Sequence, residues 1–343
     1  MRKCLVLAVS VCAVVCWAGS ALAADWSFYG SSRMSTFIDD VSKERTGTNF
    51  DDTDLTWGQQ GNSRLGARVK AGDVTGRFEY GTGVNLRHLY GAWDFGGGQL
   101  LIGHTETPVN IYPANQVWST DTDMLPFGGI YDGRRPMIQL SYQGLKFALV
   151  EPNDKNSPMG VDTDTMMPKI EASYNMNFGP AAFKLMGLYN TFDAVDALDR
   201  EESVDSYLLG VGFTVAFGAP YIKGDVWFGQ NLGNTTMWEE GVADALWTGT
   251  EILDTDSMGY LIVAGYKLSD LLTFEAGYGY AQHDRDDFVT EDDVSAYYVN
   301  ATINLAKGVF IVPEVGFIDY GDTPAGTDGG NNTYYGAKWQ INF

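Results

Sequence analysis

The chain has 343 residues, with 22 Lys and Arg against 44 Asp and Glu. Its net charge of −22 disfavours nucleic acid as a partner and favours cations. Its 19 Tyr, 18 Phe, 9 Trp and 41 Gly are typical of many short strands joined by tight turns rather than of helices. All three cysteines lie in the first 16 residues, so the rest of the chain has neither disulfides nor cysteine metal sites.

The N-terminal residues have the pattern of an export signal. Two basic residues precede an apolar run at 4–17, and a small-residue cleavage pattern ends at Ala23. We therefore expect residues 1–23 to be removed and residues 24–343 to form one domain. Beyond the signal, no apolar stretch approaches the roughly 18 residues that a transmembrane helix requires, which excludes helical insertion.

The remaining chain shows apolar residues alternating with polar ones. This alternation predicts about sixteen strands of roughly 8 to 15 residues, each bounded by Gly, Pro, Asn or Asp. Because strand side chains alternate faces, one face is apolar, and the other carries Gly, Ser, Thr, Asn and Gln with scattered charges. The clearest examples lie at 169–178, 206–217, 297–305 and 334–343.

The connections between these segments alternate between two classes. The tight turns are Gly72-Asp73, Gly96-Gly97-Gly98, Gln143-Gly144, Gly179-Pro180, Gly218-Ala219, Ser269-Asp270 and Lys307-Gly308. Longer polar stretches lie between them near 39–54, 81–85, 105–134, 151–167, 193–204, 230–256, 282–293 and 320–332. Short turns on one rim and long loops on the other are typical of a membrane β-barrel. The pattern predicts an all-β, antiparallel, 16-stranded transmembrane barrel closed by pairing of its first and last strands.

A large soluble all-β protein is the structural alternative. A soluble sandwich usually carries abundant Lys and Glu on its water-facing side, whereas the polar side here is mixed, as expected of a lumen. Aromatic residues such as Tyr174 and Phe178 lie near the ends of apolar faces, where membrane interfaces favour them. No blade signature recurs at a period of about 40 residues. The barrel is therefore favoured.

The stretch 105–134 is the longest connection and the third on the long-loop rim. It is too apolar to lie freely in water, so we expect it to fold into the lumen. Its apolar and aromatic residues are Pro108, Ile111, Tyr112, Pro113, Trp118, Met124, Leu125, Pro126, Phe127, Ile130 and Tyr131.

Part of this loop resembles a known family. The run TDMLPFGG, ending in Pro126, Phe127, Gly128 and Gly129, is similar to the constriction-loop motif of general-diffusion porins from Gram-negative outer membranes. In that family the third loop narrows the channel at mid-height and presents acids to a row of arginines on the opposite wall. The resemblance implies an outer-membrane porin for passive diffusion of ions and small hydrophilic solutes.

The resemblance also assigns the charges of the constriction. Arg64, in the run SRLG, matches the arginine of the family's second strand, and Arg87, in the run LRHLYGA, matches its fourth strand. Arg135 fits the third position of the row better than Arg134. Asp123 corresponds to an acid of the loop.

One departure affects the acidic side of the constriction. The family commonly has a glutamate between the proline and the phenylalanine, but here Pro126 joins Phe127 directly. Glu106, Asp121 or Asp132 could replace that acid.

Strand parity gives an independent prediction for the basic residues. Arg64, Arg68 and Arg135 share faces with polar residues and should point inward. An inward Arg87 requires either a β-bulge or unusual packing of its strand, because plain alternation would turn Trp93 inward as well. For any one arginine, the structural alternative is a lumen charge paired with a neighbour such as Glu79.

Opposed positive and negative walls create a transverse field across a low-dielectric constriction, which lets small polar solutes pass and penalises apolar ones. The long loops are acidic, and we expect them to concentrate cations at the mouth, giving a cation-preferring pore. Solvated surface is the alternative interpretation of these loops. We expect no cofactor apart from divalent cations bound loosely at these loops together with lipopolysaccharide.

The sequence leaves two other functions as alternatives. A substrate-selective channel for sugars or an anion is the closer alternative, with Trp118, Tyr112 and Tyr131 as candidate aromatic contacts. An enzyme is disfavoured, because His88, His104 and His283 are far apart in sequence and belong to no nucleophile or metal motif. Because neighbouring strand residues point to opposite faces, we expect His88 to face outward if Arg87 faces inward.

The resemblance further implies partners. Porins of that family are homotrimers, and their terminal phenylalanine, here Phe343, is read by the outer-membrane assembly machinery. The second loop, near 81–85, is too short to latch much onto a neighbour. Trimerisation would then depend on packing of the barrel walls.

Overall fold

The computed structural model describes residues 24–154 and 161–343, and the predicted export signal at 1–23 lies outside them. The strands are β1 Asp25–Val41, β2 Asp52–Gln59, β3 Arg64–Ala71, β4 Val74–Gly81, β5 Leu86–Asp94, β6 Gly98–Glu106, β7 Arg134–Tyr142, β8 Leu145–Val150, β9 Asp162–Asp164, β10 Lys169–Phe178, β11 Ala181–Val195, β12 Glu201–Ala216, β13 Pro220–Gln230, β14 Leu246–Trp247, β15 Ile252–Leu253, β16 Asp256–Lys267, β17 Leu272–Asp284, β18 Asp292–Ala306, β19 Val309–Asp319 and β20 Asn331–Asn342. Single helical turns occur at α1 Lys43–Thr46 and α2 Trp118–Asp121, with a 3-10 turn at Leu232–Thr235. No helix in the described ranges is long and apolar enough to span a membrane.

The strands form a closed antiparallel wall. β1 pairs with β20 along Ser31–Val41, which closes the barrel between the first and last strands. β2 and β3 both pair with β1 and are two halves of one wall strand, and β9 and β10 both pair with β11 in the same way. The 18 segments of the sheet thus make a barrel of 16 strands, which confirms the predicted fold class. β14 and β15 form a separate hairpin.

The connections follow the predicted alternation of short turns and long loops. Each predicted tight turn joins two neighbouring wall strands, as Gly218 (φ 91°) does between β12 and β13. We name the third long loop L3 (107–133) and the sixth L6 (231–255). The loop predicted at 193–204 is shorter than expected and covers only 196–200, because β11 and β12 continue their ladder outward as far as the pair Val195 and Glu201.

The two faces of the wall differ as the alternation predicts. On β20, Tyr335 and Trp339 point outward and are 51% and 47% exposed, whereas Tyr334 and Lys338 point inward and are buried. A continuous surface of large exposed apolar side chains would be unfavourable in water. On a membrane barrel, this surface is the band that lipid covers.

The buried apolar core lies inside the barrel. Residues of L3, including Val117, Phe127 and Ile130, pack against inward side chains of the wall such as Leu208 and Trp227. Burial of one such side chain stabilises the fold by about 1.5 to 3 kcal/mol. L3 therefore packs against one side of the lumen, as the apolar composition of the loop predicted.

Candidate functional site

Carboxylates of the wall bind the backbone of L3. The donors and acceptors, with N to O distances, are Val109 to Glu171 (3.2 Å), Asn115 to Glu275 (2.7 Å), and Val117 and Trp118 to Glu314 (2.8 and 2.9 Å). Glu171, Glu275 and Glu314 lie on β10, β17 and β19. A hydrogen bond to a charged acceptor contributes about 1.5 to 3 kcal/mol. These bonds fix the path of L3 along the wall.

The Pro-Phe-Gly-Gly motif forms the contact of L3 with β16 and β17. Gly128 has φ 95°, and a Cβ added there would lie 2.4 Å from the carbonyl oxygen of Tyr260 and 2.5 Å from that of Tyr280. Its own carbonyl accepts a hydrogen bond from the indole of Trp227 at 2.9 Å. Phe127 is buried in the core beside it. Only glycine fits this close approach of loop and wall.

On its other side L3 leaves an open cavity of about 470 Å³. Among the residues that the structure describes, five basic side chains line this cavity: Arg33, Arg64, Arg87, Arg134 and Lys338. Three acidic side chains also line it: Glu106, Asp121 and Asp123. We name this space the constriction cavity. Its basic side chains outnumber its acidic ones.

Glu79 on β4 organises the arginine side of the constriction cavity. This carboxylate is fully buried and accepts hydrogen bonds from Arg87 at 2.7 Å, from Arg77 at 2.6 Å and from the hydroxyl of Tyr29 at 2.8 Å. Arg64 lies 3.6 Å from the same carboxylate. Pairing with Glu79 was the structural alternative for a single arginine. Glu79 in fact holds several arginines at once, and Arg64 and Arg87 still line the cavity.

A β-bulge places Arg87 in the lumen. The ladder between β4 and β5 shifts register beside Glu79, which makes Arg87 an extra residue on β5. Beyond the shift, Trp93 faces outward as the apolar pattern requires. The prediction that His88 faces outward is wrong, because the bulge turns this side chain inward, where it is buried and hydrogen-bonds the hydroxyl of Thr105 at 2.8 Å.

The third basic position is occupied by Arg134 rather than by Arg135. Arg134 donates to Glu106 and to the hydroxyl of Tyr131, both at 2.9 Å, and lines the constriction cavity, whereas Arg135 does not. Parity along β7 pointed to Arg135. It does not decide the orientation here, because Arg134 is the first residue of the strand, directly after Gly133 (φ 91°), and its pairing with Glu106 directs it into the cavity.

Two other predicted constriction residues lie away from the cavity. Arg68 is nearer the tight-turn rim, with its guanidinium carbon 4.8 Å from the ring centroid of Tyr29. Asp132 is fully buried where L3 returns to the wall, and it forms an ion pair with the buried Lys169 of β10. Lys169 also donates to the carbonyl of Thr235 in L6 at 3.1 Å. Asp132 therefore anchors the loop and does not face the cavity.

Arg33 on β1 and Lys338 on β20 were not predicted as constriction residues. Arg33 lies 2.5 Å and Lys338 3.1 Å from the carboxylate of Asp121. These contacts bring the first strand, the last strand and L3 together at the cavity. Strand parity could have identified Lys338 from the sequence, because this residue lies on the polar face of the last strand.

Asp121 and Asp123 are presented by a strained part of L3. Ser119, Asp121, Asp123 and Met124 all have positive φ, between 53° and 59°, and such conformations in residues other than glycine concentrate at functional sites. Burial and the Asp121 carboxylate raise the pKa of Asp123 well above its usual range, while Lys338 and Arg33 oppose the rise.

L6 packs onto L3, which the sequence did not predict. The backbone N–H of Trp238 donates to the carbonyl of Tyr131 at 3.0 Å, and that of Glu240 donates to the carbonyl of Pro126 at 3.2 Å. The side chain of Trp238 lines the constriction cavity. The apolar residues of 231–255 were the sequence feature that could have indicated this packing. L6 therefore supports L3 and contributes to the site.

Comparisons with known proteins agree with the barrel fold. A family model described as Gram-negative porin matches residues 8–323. The outer membrane channel DcaP of Acinetobacter baumannii has a TM-score of 0.79 at 17% identity, over 94% of this chain and 99% of that one. An anion-selective porin from Comamonas acidovorans has a TM-score of 0.60 at 14% identity, over 93% and 100%.

A further solved structure, OmpF of Salmonella typhi in complex with daunomycin, has a TM-score of 0.59 at 11% identity, over 92% of this chain and 97% of that one. No curated protein matches the sequence. At these identities, the structural similarities support the fold.

Proposed function

The chain belongs to the Gram-negative porins of the outer membrane, and we propose that it forms a water-filled channel for passive diffusion of small hydrophilic solutes. The observation that carries this proposal is the constriction cavity, an open space inside a closed barrel with charged side chains on several sides. Such a lumen admits polar solutes and penalises apolar ones. The role assigned to the lining residues is to shape the field in that space.

The excess of basic side chains in the constriction cavity favours the passage of anions over that of cations. Five basic side chains face three acidic ones there, and charges act most strongly where the pore is narrow and its walls have a low dielectric. The acidic outer loops favour the cation preference expected from the sequence, but exposed charges are screened beyond about 8 Å at physiological salt. We therefore propose a weak preference for anions, set at the constriction.

The experiment is single-channel recording with the purified protein in planar bilayers across a potassium chloride gradient. We expect ohmic currents whose reversal potential has the sign for anions. The opposite sign would overturn the anion preference and restore the cation preference. Vesicles containing the protein should also leak small sugars at rates that fall with solute size, and vesicles that stay tight to sugars and ions would overturn the channel itself.

A substrate-selective channel for sugars is the second candidate. Tyr112, Tyr131 and Trp238 line the cavity with ring centroids 5.8 and 6.2 Å apart, an arrangement on which a sugar ring could stack. Trp118 belongs to the wall side instead, where it stacks on Tyr334 at 5.0 Å. Saturable flux and blockade of the current by one sugar would favour this candidate.

We also propose that the protein is a homotrimer without catalytic activity. A solved structure of OmpT from Vibrio cholerae, described as a trimer form, has a TM-score of 0.61 at 16% identity. Outward Leu55 and Trp57, beside β1, offer an apolar surface for wall packing. Cross-linking of the native protein tests the trimer, and lipase and protease assays on the same sample test the absence of catalysis.

Two further proposals concern the ends of the wall. Phe343 is 72% exposed, and its backbone pairs with Gly30 at 2.7 and 3.0 Å. We propose that its ring is read by the assembly machinery before the barrel closes, so that deletion of Phe343 lowers the amount of barrel in the membrane. The acidic outer loops would bind divalent cations loosely together with lipopolysaccharide.

A further inference from the structure

L6 begins and ends on the packed side of the barrel but reaches the constriction cavity. It joins β13 and β16, and Trp227 and Tyr260 of these two strands contact Gly128 of L3. Trp238 of L6 nevertheless lines the constriction cavity together with Arg64 of β3. The path of L6 thus crosses L3 and places one side chain in the space that solutes pass through.

Backbone hydrogen bonds to L3 hold L6 where the two loops cross. The N–H of Trp238 donates to the carbonyl of Tyr131 at 3.0 Å, and the N–H of Glu240 donates to the carbonyl of Pro126 at 3.2 Å. The first of these bonds is made by the residue that enters the cavity. Its backbone is therefore fixed against the loop that already narrows the channel.

The barrel wall holds L6 directly after this crossing. His283 of β17 has Nε2 at 3.0 Å from the carbonyl of Glu240, and because a carbonyl only accepts, Nε2 carries the proton. Nδ1 of the same ring then accepts from the hydroxyl of Ser257 at 2.8 Å. The carboxylate of Asp292 accepts from the backbone N–H of Val242 at 2.6 Å. Three neighbouring wall strands, β16, β17 and β18, thus fix the segment that follows Trp238.

The indole of Trp238 is not used up in packing. Its ring centroid lies 6.2 Å from that of Tyr131, with the two planes 61° apart. The residue is 39% exposed, although it lies inside the barrel, where a packed aromatic such as Trp227 is 1% exposed. A large part of the indole therefore faces the water of the constriction cavity.

On the basis of the proposed diffusion channel, we propose that L6 is a second constriction loop, in which Trp238 is a specificity-determining residue that sets the size limit for solutes. The indole carries no charge, so it acts on solutes through its bulk and its apolar surface, whereas the arginines act through the field. Because L6 is bound to L3 and to the wall around this residue, the narrowing is a fixed feature of the pore.

The test uses Trp238→Ala in the full protein, reconstituted in planar bilayers and in vesicles. We expect the single-channel conductance to rise about twofold, because the pore radius at the constriction increases. The rate of vesicle swelling in raffinose, a trisaccharide, relative to that in arabinose, a pentose, should rise severalfold. The reversal potential should move less than in Arg64→Ala, because no charge is lost. Trp238→Phe, which keeps an aromatic ring, should fall between wild type and Trp238→Ala.

The matched control is Trp247→Ala, which removes the same type of side chain from the same loop. Trp247 lies in the β14–β15 hairpin and is not among the described residues that line the constriction cavity, so its loss should leave conductance and swelling unchanged. Heat-modifiable mobility on a gel shows that each variant is folded. A folded Trp238→Ala variant with the conductance and swelling ratio of the wild type would overturn the proposal. Equal changes in Trp238→Ala and Trp247→Ala would overturn it too. Wild-type vesicles that stay tight to arabinose would instead overturn the diffusion channel itself.

Discussion

L3 divides the barrel interior into two regions. On the packed side the loop lies against the wall, and on the cavity side it borders the constriction cavity. Inward carboxylates occur in both. On the packed side, Glu275 and Glu314 accept backbone N–H groups of L3. On the cavity side, Glu79 accepts from arginine side chains. Strand alternation brings a charge into the lumen, and the position of L3 then decides whether that charge holds the loop or acts on passing solutes.

The comparison predicts different consequences of losing a charge on each side. A charge on the packed side is covered by L3, so its loss changes the position of the loop and, through it, the size of the pore. A charge on the cavity side faces water, so its loss changes the field and leaves the loop in place. Stability and conductance therefore report on the packed side, and ion selectivity reports on the cavity side.

The largest effect is expected for Glu314→Ala on the packed side. This change leaves the buried N–H groups of Val117 and Trp118 without their acceptor, at a cost of about 1 to 3 kcal/mol each. L3 should then leave the wall for part of the time, giving larger and noisier single-channel currents and a lower midpoint of thermal unfolding.

Glu314→Gln is the matched control for this change. It keeps one acceptor oxygen in the same place and should fall between wild type and Glu314→Ala in both measurements. If Glu314→Ala conducts with the amplitude and noise of the wild type, the carboxylate does not position L3, and the packed side owes its order to apolar contacts alone.

A smaller effect is expected for Arg64→Ala on the cavity side. Glu79 keeps Arg77 and Arg87 as partners, so the barrel should remain stable. Loss of one charge at about 4 Å from a passing ion is worth about 1 kcal/mol in water. The variant should conduct somewhat more. Its permeability ratio of cation to anion, obtained from the reversal potential, should rise severalfold.

Arg68→Ala is the control for Arg64→Ala, because it removes the same charge from the same strand but outside the constriction cavity. Its reversal potential should stay near the wild-type value. Equal shifts in the two variants would mean that the whole lumen, and not the constriction, sets selectivity.

The parts of the molecule predicted from the sequence depend on local patterns. The wall followed from period-two alternation and turn residues, because both are read within a few neighbouring positions. The insertion of L3 followed from its apolar composition, since such a stretch must be covered somewhere. Arg64 and Arg87 were placed by their motifs, and the bulge that Arg87 required is present in β5.

The parts that were missed depend on contacts between distant segments. Asp132 lies on the loop as predicted, but its pairing with Lys169 buries it. Arg134 takes the place expected for Arg135 because Glu106 pairs with it across the ladder. His88 faces inward because one bulge reverses the parity of the following residues. Each of these three misses arises where a strand begins, shifts register or meets a loop.

The smallest effect is expected from the titration of Asp123, which lines the cavity. Burial and Asp121 raise its pKa in the folded protein, so on acidification it takes up its proton at a higher pH than an exposed aspartate does. Each proton removes a negative charge from the cavity, and the preference for anions should increase as the pH falls. The same raised pKa means that folding becomes less favourable as the pH rises from the pKa of the unfolded chain to that of the folded protein, because in this range the unfolded aspartate has released its proton while the folded one keeps it.

Reversal potentials measured between about pH 8 and about pH 4 test this expectation. Asp123→Asn mimics the protonated form, so at the upper end it should already show the stronger anion preference, and its curve should be flatter than that of the wild type. Asp286→Asn removes an exposed carboxylate outside the lumen and should leave the wild-type pH dependence in place. If Asp123→Asn follows the wild-type curve at every pH, then Asp123 does not act on passing ions. The field of the cavity would in that case come from Asp121, Glu106 and the basic side chains that pair with them.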